Sequence, residues 1–219
     1  QTGTGKWYTT TEAKGITVAW LACTITTNQI PDDHHQVLHC LKDTREILNL
    51  ITKLAKRKGV DAVVVTPHWG RQYEPQPRQR QERLAHQFAE AGATAVLGSH
   101  PHVTQPWERY GTKDGREVLI HYSLGNFVSH QPELPRRTTL ILYVTLKRLE
   151  SGATTVAGVG YIPVHVRQDD ELFFAEAIDR VGGPADARAL LTEMYGTGNL
   201  LAPDAPLDTT PQCPKPRAN

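Results

Sequence analysis

Apolar residues in the first part of this chain form three uninterrupted runs, separated by stretches in which they recur every three or four residues. The runs at 16–22, 60–66 and 94–99 predict strands that are covered on both faces, as in a parallel sheet. The recurring stretches predict amphipathic helices around 47–55 and over 78–92. Because strand, helix and strand follow one another, we expect a right-handed βαβ unit in an α/β protein.

The pattern changes after Val103, where apolar residues occupy longer β-type segments. These segments are 117–124, 138–150 and 154–166. They predict an antiparallel portion that follows the parallel βαβ portion. Residues 171–181 fit either a strand or a helix, whereas 184–195 predicts a helix with Pro184 in its first turn.

Composition limits the range of functions. With 39% hydrophobic residues the chain as a whole is not disordered, and none of its apolar runs is long enough to span a bilayer. The net charge is +1, from 24 basic and 23 acidic residues, without the positive excess typical of nucleic-acid-binding proteins. We therefore expect no nucleic-acid partner, and a bound anion must meet a local cluster of positive groups.

The chain divides into three expected parts. Residues 1–170 carry the βαβ unit and the antiparallel segments, 171–195 form an appended helical or strand segment, and 196–219 contain five of the 15 prolines. Such a proline-rich end predicts a tail that wraps around the domain or is disordered. The sequence begins with Gln1 and not with Met, so we expect that a leader or a larger N-terminal portion has been removed.

Three of the ten histidines directly follow predicted strands. His68 comes after the second apolar run, and His100 and His102 come after the third. Because the carboxyl ends of neighbouring parallel strands meet at one edge of a sheet, these imidazoles are expected to lie together. Pro101 disfavours the helical conformation for His100, so we expect an extended His-Pro-His segment with both imidazoles on one side.

Imidazoles gathered in this way predict a metal site. Two ions about 3.5–4 Å apart could share it, or the three histidines could hold a single zinc with water as the fourth ligand. A two-ion site usually also contains a carboxylate. Asp61 starts its strand and so lies at the wrong end of the sheet, whereas Glu74 and Glu108 reach this edge only if their loops allow it.

Two segments near the same edge supply candidate substrate-binding groups. Arg71 lies in the loop after His68, and its guanidinium suits carboxylate or phosphate oxygens, whereas Arg80 and Arg83 fit the solvated face of a helix. Asn126, in SLGNF, offers both a donor and an acceptor, although a purely structural turn explains this segment as well.

The three cysteines bear on the compartment. Cys23 and Cys40 flank a short polar stretch, and a disulfide between them would stabilise the fold by about 3 kcal/mol. Cys213 would then lack a partner, which suggests one in sequence outside this chain. Three reduced thiols in a cytosolic protein are the alternative, because sequence cannot establish disulfide geometry.

Three longer segments resemble, in order and spacing, the CapA (PGA_cap) family of bacterial poly-gamma-glutamate capsule biosynthesis proteins. They are VVVTPHWGRQY, LAHQFAEAGATAVLGSHPHVTQPWE and HYSLGNFVS, within a similarity that runs from about residue 14 to about residue 167. The resemblance implies the calcineurin-like metallophosphoesterase fold, a four-layer αββα sandwich, with a two-metal centre. On that pattern His68 and His100 are ligands of one ion, and His102 is a ligand of the other.

Two features depart from the family pattern. The family's first half, with a Gly-Asp metal ligand and an Asn-Asn-His motif, has no counterpart, so residues 1–170 are expected to be the C-terminal half of the domain. The family usually has Glu two residues after the glycine of HWG, where this chain has Gln72, and Glu74 is the nearest acid. The predicted substrate-binding set is Arg71, Gln72, Tyr73, Glu74 and Asn126.

The unpaired Cys213 and the missing N-terminal half suggest an exported protein of the cell envelope, periplasmic or extracellular, which could be anchored to a membrane through sequence outside this chain. Its expected activity is metal-dependent hydrolysis of a phosphoester, ester or amide, with two divalent ions (Zn, Mn, Fe or Mg) in the full-length protein. The alternatives are a non-catalytic component that binds or exports a polyanion, and a mononuclear zinc hydrolase. The expected partners are an anionic substrate or polymer such as polyglutamate, membrane-bound capsule synthase subunits and the missing N-terminal half.

Overall fold

Nine strands and four α-helices form between residues 6 and 204, the residues that this computed structural model describes. The first elements are β1 (Tyr8–Ala13), β2 (Ile16–Thr24), α1 (Thr44–Ala55), β3 (Ala62–His68), α2 (Gln79–Ala91) and β4 (Ala95–Leu97). They are followed by β5 (Thr104–Gly111), β6 (Glu117–Leu124), β7 (Thr138–Arg148), β8 (Thr154–Asp169), β9 (Leu172–Ala177), α3 (Ile178–Val181) and α4 (Ala185–Tyr195). A short 3-10 helix, Leu134–Arg136, precedes β7.

Six strands form one mixed sheet in the order β1-β2-β3-β4-β6-β5. Strands β2, β3, β4 and β6 are parallel, and β1 and β5 lie antiparallel at the two edges. The predicted α/β class is therefore confirmed. We predicted that 117–124 belongs to the antiparallel portion. This segment, β6, does pair antiparallel with β5, but it lies parallel to its other neighbour, β4, so the prediction is wrong there. The apolar pattern also misses β1, since most of this edge strand is exposed.

Helices α1 and α2 cover one face of this sheet. They turn inward the apolar residues whose spacing predicted them, namely Ile47, Ile51, Leu54, Leu84, Ala85 and Phe88. Complete burial of an Ile, Leu or Phe side chain stabilises the folded state by roughly 1.5–3 kcal/mol. These side chains therefore contribute much of the stability that the core provides. Within residues 6–204, no helix has both the length and the apolar character needed to cross a membrane.

Strands β7, β8 and β9 form a second, antiparallel sheet that packs on the other face of the first. The contact buries Val64 and Leu119 of the six-stranded sheet against Val156 and Val159 of β8. The molecule therefore has a helix layer, a six-stranded sheet and a three-stranded sheet, in that order. The predicted antiparallel portion after the parallel one is confirmed by the second sheet.

The segment after residue 170 is partly strand and partly helix. The ambiguous stretch 171–181 forms β9 and then α3, so each alternative holds for half of it. After α4 the chain returns to β8, where Leu200 pairs in parallel with Tyr161. The division at residue 170 stays a prediction. Most of the predicted tail, with Cys213, lies at 205–219, outside the described residues.

A disulfide joins Cys23, near the end of β2, to Cys40. Around it, the Thr24 N–H donates to the carbonyl of Leu38 at 2.9 Å, and the Cys40 N–H donates to the carbonyl of Thr24 at 2.8 Å. Both cysteines are buried. The cross-link therefore fastens the loop before α1 to the carboxyl end of β2.

Candidate metal centre

Four neighbouring parallel strands end at one edge of the six-stranded sheet, and each carries a polar side chain at or just beyond its end. Thr24 is the last residue of β2, and His68 is the last residue of β3. His100 and His102 follow β4, and Asn126 follows β6. The rule that ligands bind outside the carboxyl ends of parallel strands led to the histidines and Asn126. It missed Thr24, because a threonine at a strand end has no distinctive signal.

The imidazoles of His68 and His100 face each other. Nε2 of His68 lies 3.2 Å from Nδ1 of His100, and the ring centroids are 4.4 Å apart. Two nitrogens bound to one tetrahedral zinc, each at about 2.0–2.1 Å, would lie about 3.3 Å from each other. The spacing therefore suits two ligands of one ion, and the same spacing permits a direct N–H···N hydrogen bond between the rings.

Thr24 determines which nitrogen of His68 carries a lone pair. Its hydroxyl donates to the carbonyl of Thr26 at 2.7 Å, so its oxygen accepts from Nδ1 of His68, which is 3.1 Å away. We therefore assign the proton of the neutral imidazole to Nδ1, and the lone pair on Nε2 points toward His100. Partners of this kind fix the tautomer and the orientation of metal-binding histidines.

Asn126 has the same relation to His102. Its amide nitrogen donates to the backbone carbonyls of His102 and Arg136 at 3.2 and 3.0 Å, which fixes the orientation of the carboxamide. Its side-chain oxygen lies 2.8 Å from Nδ1 of His102 and accepts the proton there, which leaves the lone pair on Nε2. The structure thus places Asn126 against His102, and its predicted contact with substrate stays a prediction.

His102 stands apart from the other two imidazoles. Its ring centroid is 6.0 Å from that of His100, compared with 4.4 Å between His68 and His100. This arrangement suits a pair of histidines on one ion and a single histidine on a neighbouring ion. No choice of one ring nitrogen from each of the three histidines places all three within 4.8 Å of one another, so this geometry does not form a three-histidine site for one zinc.

The expectation of an extended His-Pro-His segment is wrong. The φ angle is +100° at His100 and +61° at His102, in a region that non-glycine residues rarely adopt. Two tertiary hydrogen bonds hold this backbone, from the Ser99 N–H to the carbonyl of Pro67 and from the Tyr73 N–H to the carbonyl of Pro101. These contacts override the local preference for extended structure. Strained backbone of this kind concentrates at functional sites.

The surroundings favour neutral imidazoles. Desolvation lowers the pKa of His68, and repulsion from His102 lowers it further. Desolvation also lowers the pKa of His100, with added repulsion from His68 and His102. A neutral imidazole with a free lone pair is the form that binds a metal ion.

Two buried glutamines hold the loop that follows His68. Gln81 accepts the Arg78 N–H and donates to the side-chain oxygen of Gln105, each at 3.0 Å. Gln105 in turn donates to the backbone carbonyls of Glu74 and Gln76 at 2.8 and 3.2 Å. The loop is therefore fixed through its backbone. Sequence reasoning missed Gln105, because a polar residue inside a β segment gives no local sign of its partners.

The predicted substrate-binding residues of this loop differ in their contacts. Arg71, Gln72 and Tyr73 line a cleft that also includes His100. Glu74 is bound by Arg78, and the resulting hydrogen bonds lower the pKa of its carboxyl group. Arg78 would therefore compete with a metal ion for the carboxylate of Glu74.

Tyr73 links this loop to the segment after β6. Its ring centroid is 5.8 Å from that of His102, and the guanidinium of Arg136 lies 3.5 Å from the centroid of the Tyr73 ring. A cation in this position is attracted to the aromatic face. Tyr73 and Arg136 thus bring two loops together beside His102.

The other two carboxylates considered as ligands are engaged elsewhere. Glu108 lies 2.5 Å from Nε2 of His86 and accepts from the Tyr122 hydroxyl at 3.1 Å. Asp61, at the opposite end of β3 as predicted, accepts from the Thr17 N–H and from Arg148. Each of the three carboxylates considered as metal ligands, Glu74, Glu108 and Asp61, therefore already has another partner.

A second group of possible ligands lies in and beside α1. His35, Asp43 and Glu46 each place one ligand atom within 4.8 Å of the others. His35 and Glu46 are exposed. The predicted histidines are not part of this group.

Residues 3–131 match the sequence pattern of a family described as bacterial capsule synthesis protein PGA_cap. The chain belongs to the PGA_cap family. Within it, the chain is 36% identical over 116 residues to the PGA biosynthesis protein CapA of Bacillus subtilis (strain 168), which covers 52% of this chain and 29% of that protein. It is 32% identical over 169 residues to the capsule biosynthesis protein CapA of Bacillus anthracis, which covers 76% of this chain and 37% of that protein.

The PGA_cap chain thus spans about a third of the length of these curated relatives. Among solved structures, it is similar to a 5'-nucleotidase precursor from Thermus thermophilus, with a TM-score of 0.48 and 17% identity. That alignment covers 86% of this chain and 33% of the nucleotidase chain.

Proposed function

We propose that this PGA_cap chain supplies the histidine ligands of a two-ion metal centre that hydrolyses a phosphoester, ester or amide bond in capsule biosynthesis. One observation carries the proposal. Nε2 of His68 and Nδ1 of His100 lie 3.2 Å apart, close to the spacing of two ligands on one ion. Thr24 engages the opposite nitrogen of His68, so the lone pair points into the site.

Divalent ions at such a site, of Zn, Mn, Fe or Mg, would lower the pKa of bound water and stabilise negative charge on the reacting group. The chain's own residues perform three tasks. His68 and His100 bind one ion, and His102 binds the neighbouring one through Nε2. Asn126 holds His102 in the required tautomer, as Thr24 does for His68. Arg71 and Tyr73, which line the adjoining cleft, orient the substrate together with Gln72.

The remaining ligands come from outside this chain in our proposal. The histidines here form only part of two ligand shells, and the matched segments cover only 29% and 37% of the curated relatives. We place the missing carboxylate and amide ligands in an N-terminal half. Two-ion sites commonly use an oxygen ligand to bridge the ions and offset their charge.

The names of the relatives support a capsule polymer as the biological context. Both are CapA proteins, one named for PGA biosynthesis and one for capsule biosynthesis. We propose that the chain acts on, or next to, a polyanion such as polyglutamate, with membrane-bound synthase subunits as partners. The Cys23–Cys40 disulfide supports a location outside the cytoplasm, since disulfides persist in oxidising compartments. A membrane anchor would lie in sequence outside this chain.

Metal analysis and activity assays test the proposal. We would measure bound metal in this chain and in a longer protein that includes its N-terminal sequence, and assay both on model phosphodiesters, carboxylic esters and poly-gamma-glutamate. We expect two ions and turnover in the longer protein, with turnover lost in His100→Ala and retained in the exposed control His34→Ala. Polyglutamate binding without turnover would instead favour the non-catalytic polyanion-binding role. One tightly held zinc in this chain, at full occupancy, would favour the mononuclear alternative.

A further inference from the structure

Arg136 makes two contacts that lead to the same histidine. It ends the 3-10 helix after β6, and its backbone carbonyl accepts from the amide nitrogen of Asn126 at 3.0 Å. Its guanidinium lies 3.5 Å from the centroid of the ring of Tyr73, which belongs to the loop after β3. The backbone and the side chain of one residue therefore reach the two segments that contact His102.

The first contact reaches the side chain of His102 through Asn126. The amide nitrogen of Asn126 donates to the backbone carbonyls of Arg136 and His102, so the side-chain oxygen faces Nδ1 of His102 at 2.8 Å. An amide group that loses one of these two acceptors is freer to rotate. The position of the Arg136 carbonyl therefore influences which nitrogen of His102 carries the proton.

The second contact reaches the backbone beside His102 through Tyr73. The Tyr73 N–H donates to the carbonyl of Pro101 at 2.7 Å, and the Tyr73 and His102 rings lie side by side. The φ angle is +67° at Tyr73 and +61° at His102, where non-glycine residues are uncommon. Backbone of this kind persists only where surrounding contacts hold it. The guanidinium over the Tyr73 ring supplies one such contact.

The guanidinium of Arg136 is itself held in place. One terminal nitrogen lies 2.8 Å from the carboxylate of Glu133, and the Arg136 side chain is only 24% exposed. The negative charge of Glu133 offsets the positive charge of the guanidinium, which would otherwise repel a cation near His102. Arg136 can therefore fix the Tyr73 ring without strongly opposing a bound metal ion.

We propose that Arg136 is a positioning residue for His102. It acts through Asn126 on the tautomer of the imidazole and through Tyr73 on the backbone, and so keeps the lone pair on Nε2 available for an ion. The inference rests on the proposed function, in which His102 binds the second ion. Arg136 acts through its neighbours and needs no contact with the ion or with the substrate.

A role of Arg136 through its charge alone predicts the opposite effect on metal binding. Because a guanidinium repels a nearby metal ion, loss of its charge would strengthen metal binding if repulsion were its main effect. Loss of a positioning residue weakens metal binding instead, since partners that orient a metal-binding histidine typically change the affinity about 10–100-fold. The sign of the change in affinity therefore distinguishes the two roles.

Nitrogen-15 NMR of the imidazoles in the metal-free full chain tests the inference without any metal. At about pH 8, well above the usual histidine pKa, we expect the unmodified protein to carry the His102 proton on Nδ1. Arg136→Ala should show a mixture of the two His102 tautomers, with the tautomer of His68 unchanged as an internal reference. Competition with a chromophoric chelator should then give an affinity for Zn²⁺ about tenfold lower in Arg136→Ala.

Two further variants accompany this measurement. Arg136→Lys keeps a cation that can lie over the Tyr73 ring, and should restore most of the Nδ1 tautomer. Arg167→Ala is the matched control, because Arg167 also lies over an aromatic ring, that of Phe174 at 4.7 Å, and also pairs with a glutamate, Glu176, in the second sheet. It should leave the His102 tautomer and the affinity for Zn²⁺ unchanged.

Urea unfolding shows whether each variant is folded. Tyr73→Leu removes the aromatic face and should shift the His102 tautomer in the same direction, which keeps the inference testable if Arg136→Ala does not fold. The inference is wrong if folded Arg136→Ala keeps the Nδ1 tautomer, if it binds Zn²⁺ more tightly, or if Arg167→Ala has an equal effect. A tautomer shift in a protein that binds no metal would support the positioning role and count against the proposed function alone.

Discussion

The side-chain oxygen of Asn126 lies 2.8 Å from Nδ1 of His102, and two backbone carbonyls hold the amide nitrogen of the same carboxamide. These carbonyls fix the orientation of the Asn126 carboxamide, and the carboxamide in turn determines which ring nitrogen of His102 keeps a lone pair for an ion. This dependence is indirect, since Asn126 itself need not touch the metal.

Asn126→Leu should lower the affinity for divalent metal about 10–100-fold, because His102 loses the partner that fixes its tautomer. Competition with a chromophoric chelator measures the change. His102→Ala should cost at least as much, and the double variant should cost little more than His102→Ala alone. Additive losses would contradict a positioning role for Asn126.

Thr24→Val should reduce metal affinity about tenfold, because Nδ1–H of His68 loses its acceptor. Thr24→Ser keeps the hydroxyl and should bind metal as the unmodified protein does. The same chelator competition distinguishes the two variants. Equal affinity in Thr24→Val and Thr24→Ser would mean that the hydroxyl does not orient His68.

Gly98→Ala should destabilise the fold by about 2 kcal/mol or more, because the structure leaves no space for a side chain there. A Cβ at Gly98 would lie 2.1 Å from the carbonyl oxygen of Tyr122 and 2.5 Å from Nε1 of Trp69. Gly111→Ala is the matched control, since a Cβ at Gly111 meets nothing within 4 Å. Urea unfolding measures both, and similar midpoints would contradict the close approach of β4 and β6.

His121 should make the protein less stable in acid. Its ring is completely buried, neither ring nitrogen has a partner among residues 6–204, and desolvation lowers its pKa to about 3 from the usual 6.5. Above pH 6.5 both the folded and the unfolded state hold neutral His121, so the residue has no effect on pH dependence. As the pH falls below 6.5 only the unfolded state takes up the proton, which lowers the unfolding free energy by about 2 kcal/mol at pH 5.

His121→Phe removes this proton uptake and should flatten the decline in stability between pH 7 and pH 5. Urea unfolding at the two pH values gives the comparison, with the exposed His34→Gln as control. An unchanged decline in His121→Phe would mean that His121 is protonated, or bound to water, in the folded state.

The elements that sequence reasoning predicted are those whose signal is local. The strands β3 and β4 and the helix α2 follow from uninterrupted apolar runs and from three- and four-residue spacing, and their order then places His68 and His100 at one edge. The features that the sequence did not predict depend on contacts with residues far away in the sequence. The positive φ of His100 is held by hydrogen bonds of its two neighbours, from Ser99 to Pro67 and from Tyr73 to Pro101. The roles of Thr24 and Gln105 likewise follow from residues more than twenty positions away.

The Cys23–Cys40 cross-link bears on the order in which the protein matures. Its loop is hydrogen-bonded to both backbone groups of Thr24, and the Thr24 hydroxyl in turn aligns the imidazole of His68. In a newly made chain with reduced cysteines, no cross-link fixes the backbone around Thr24, the residue that orients His68. We therefore expect oxidation of the two cysteines to precede metal loading at the proposed centre, so that reduced chains bind less metal than oxidised ones.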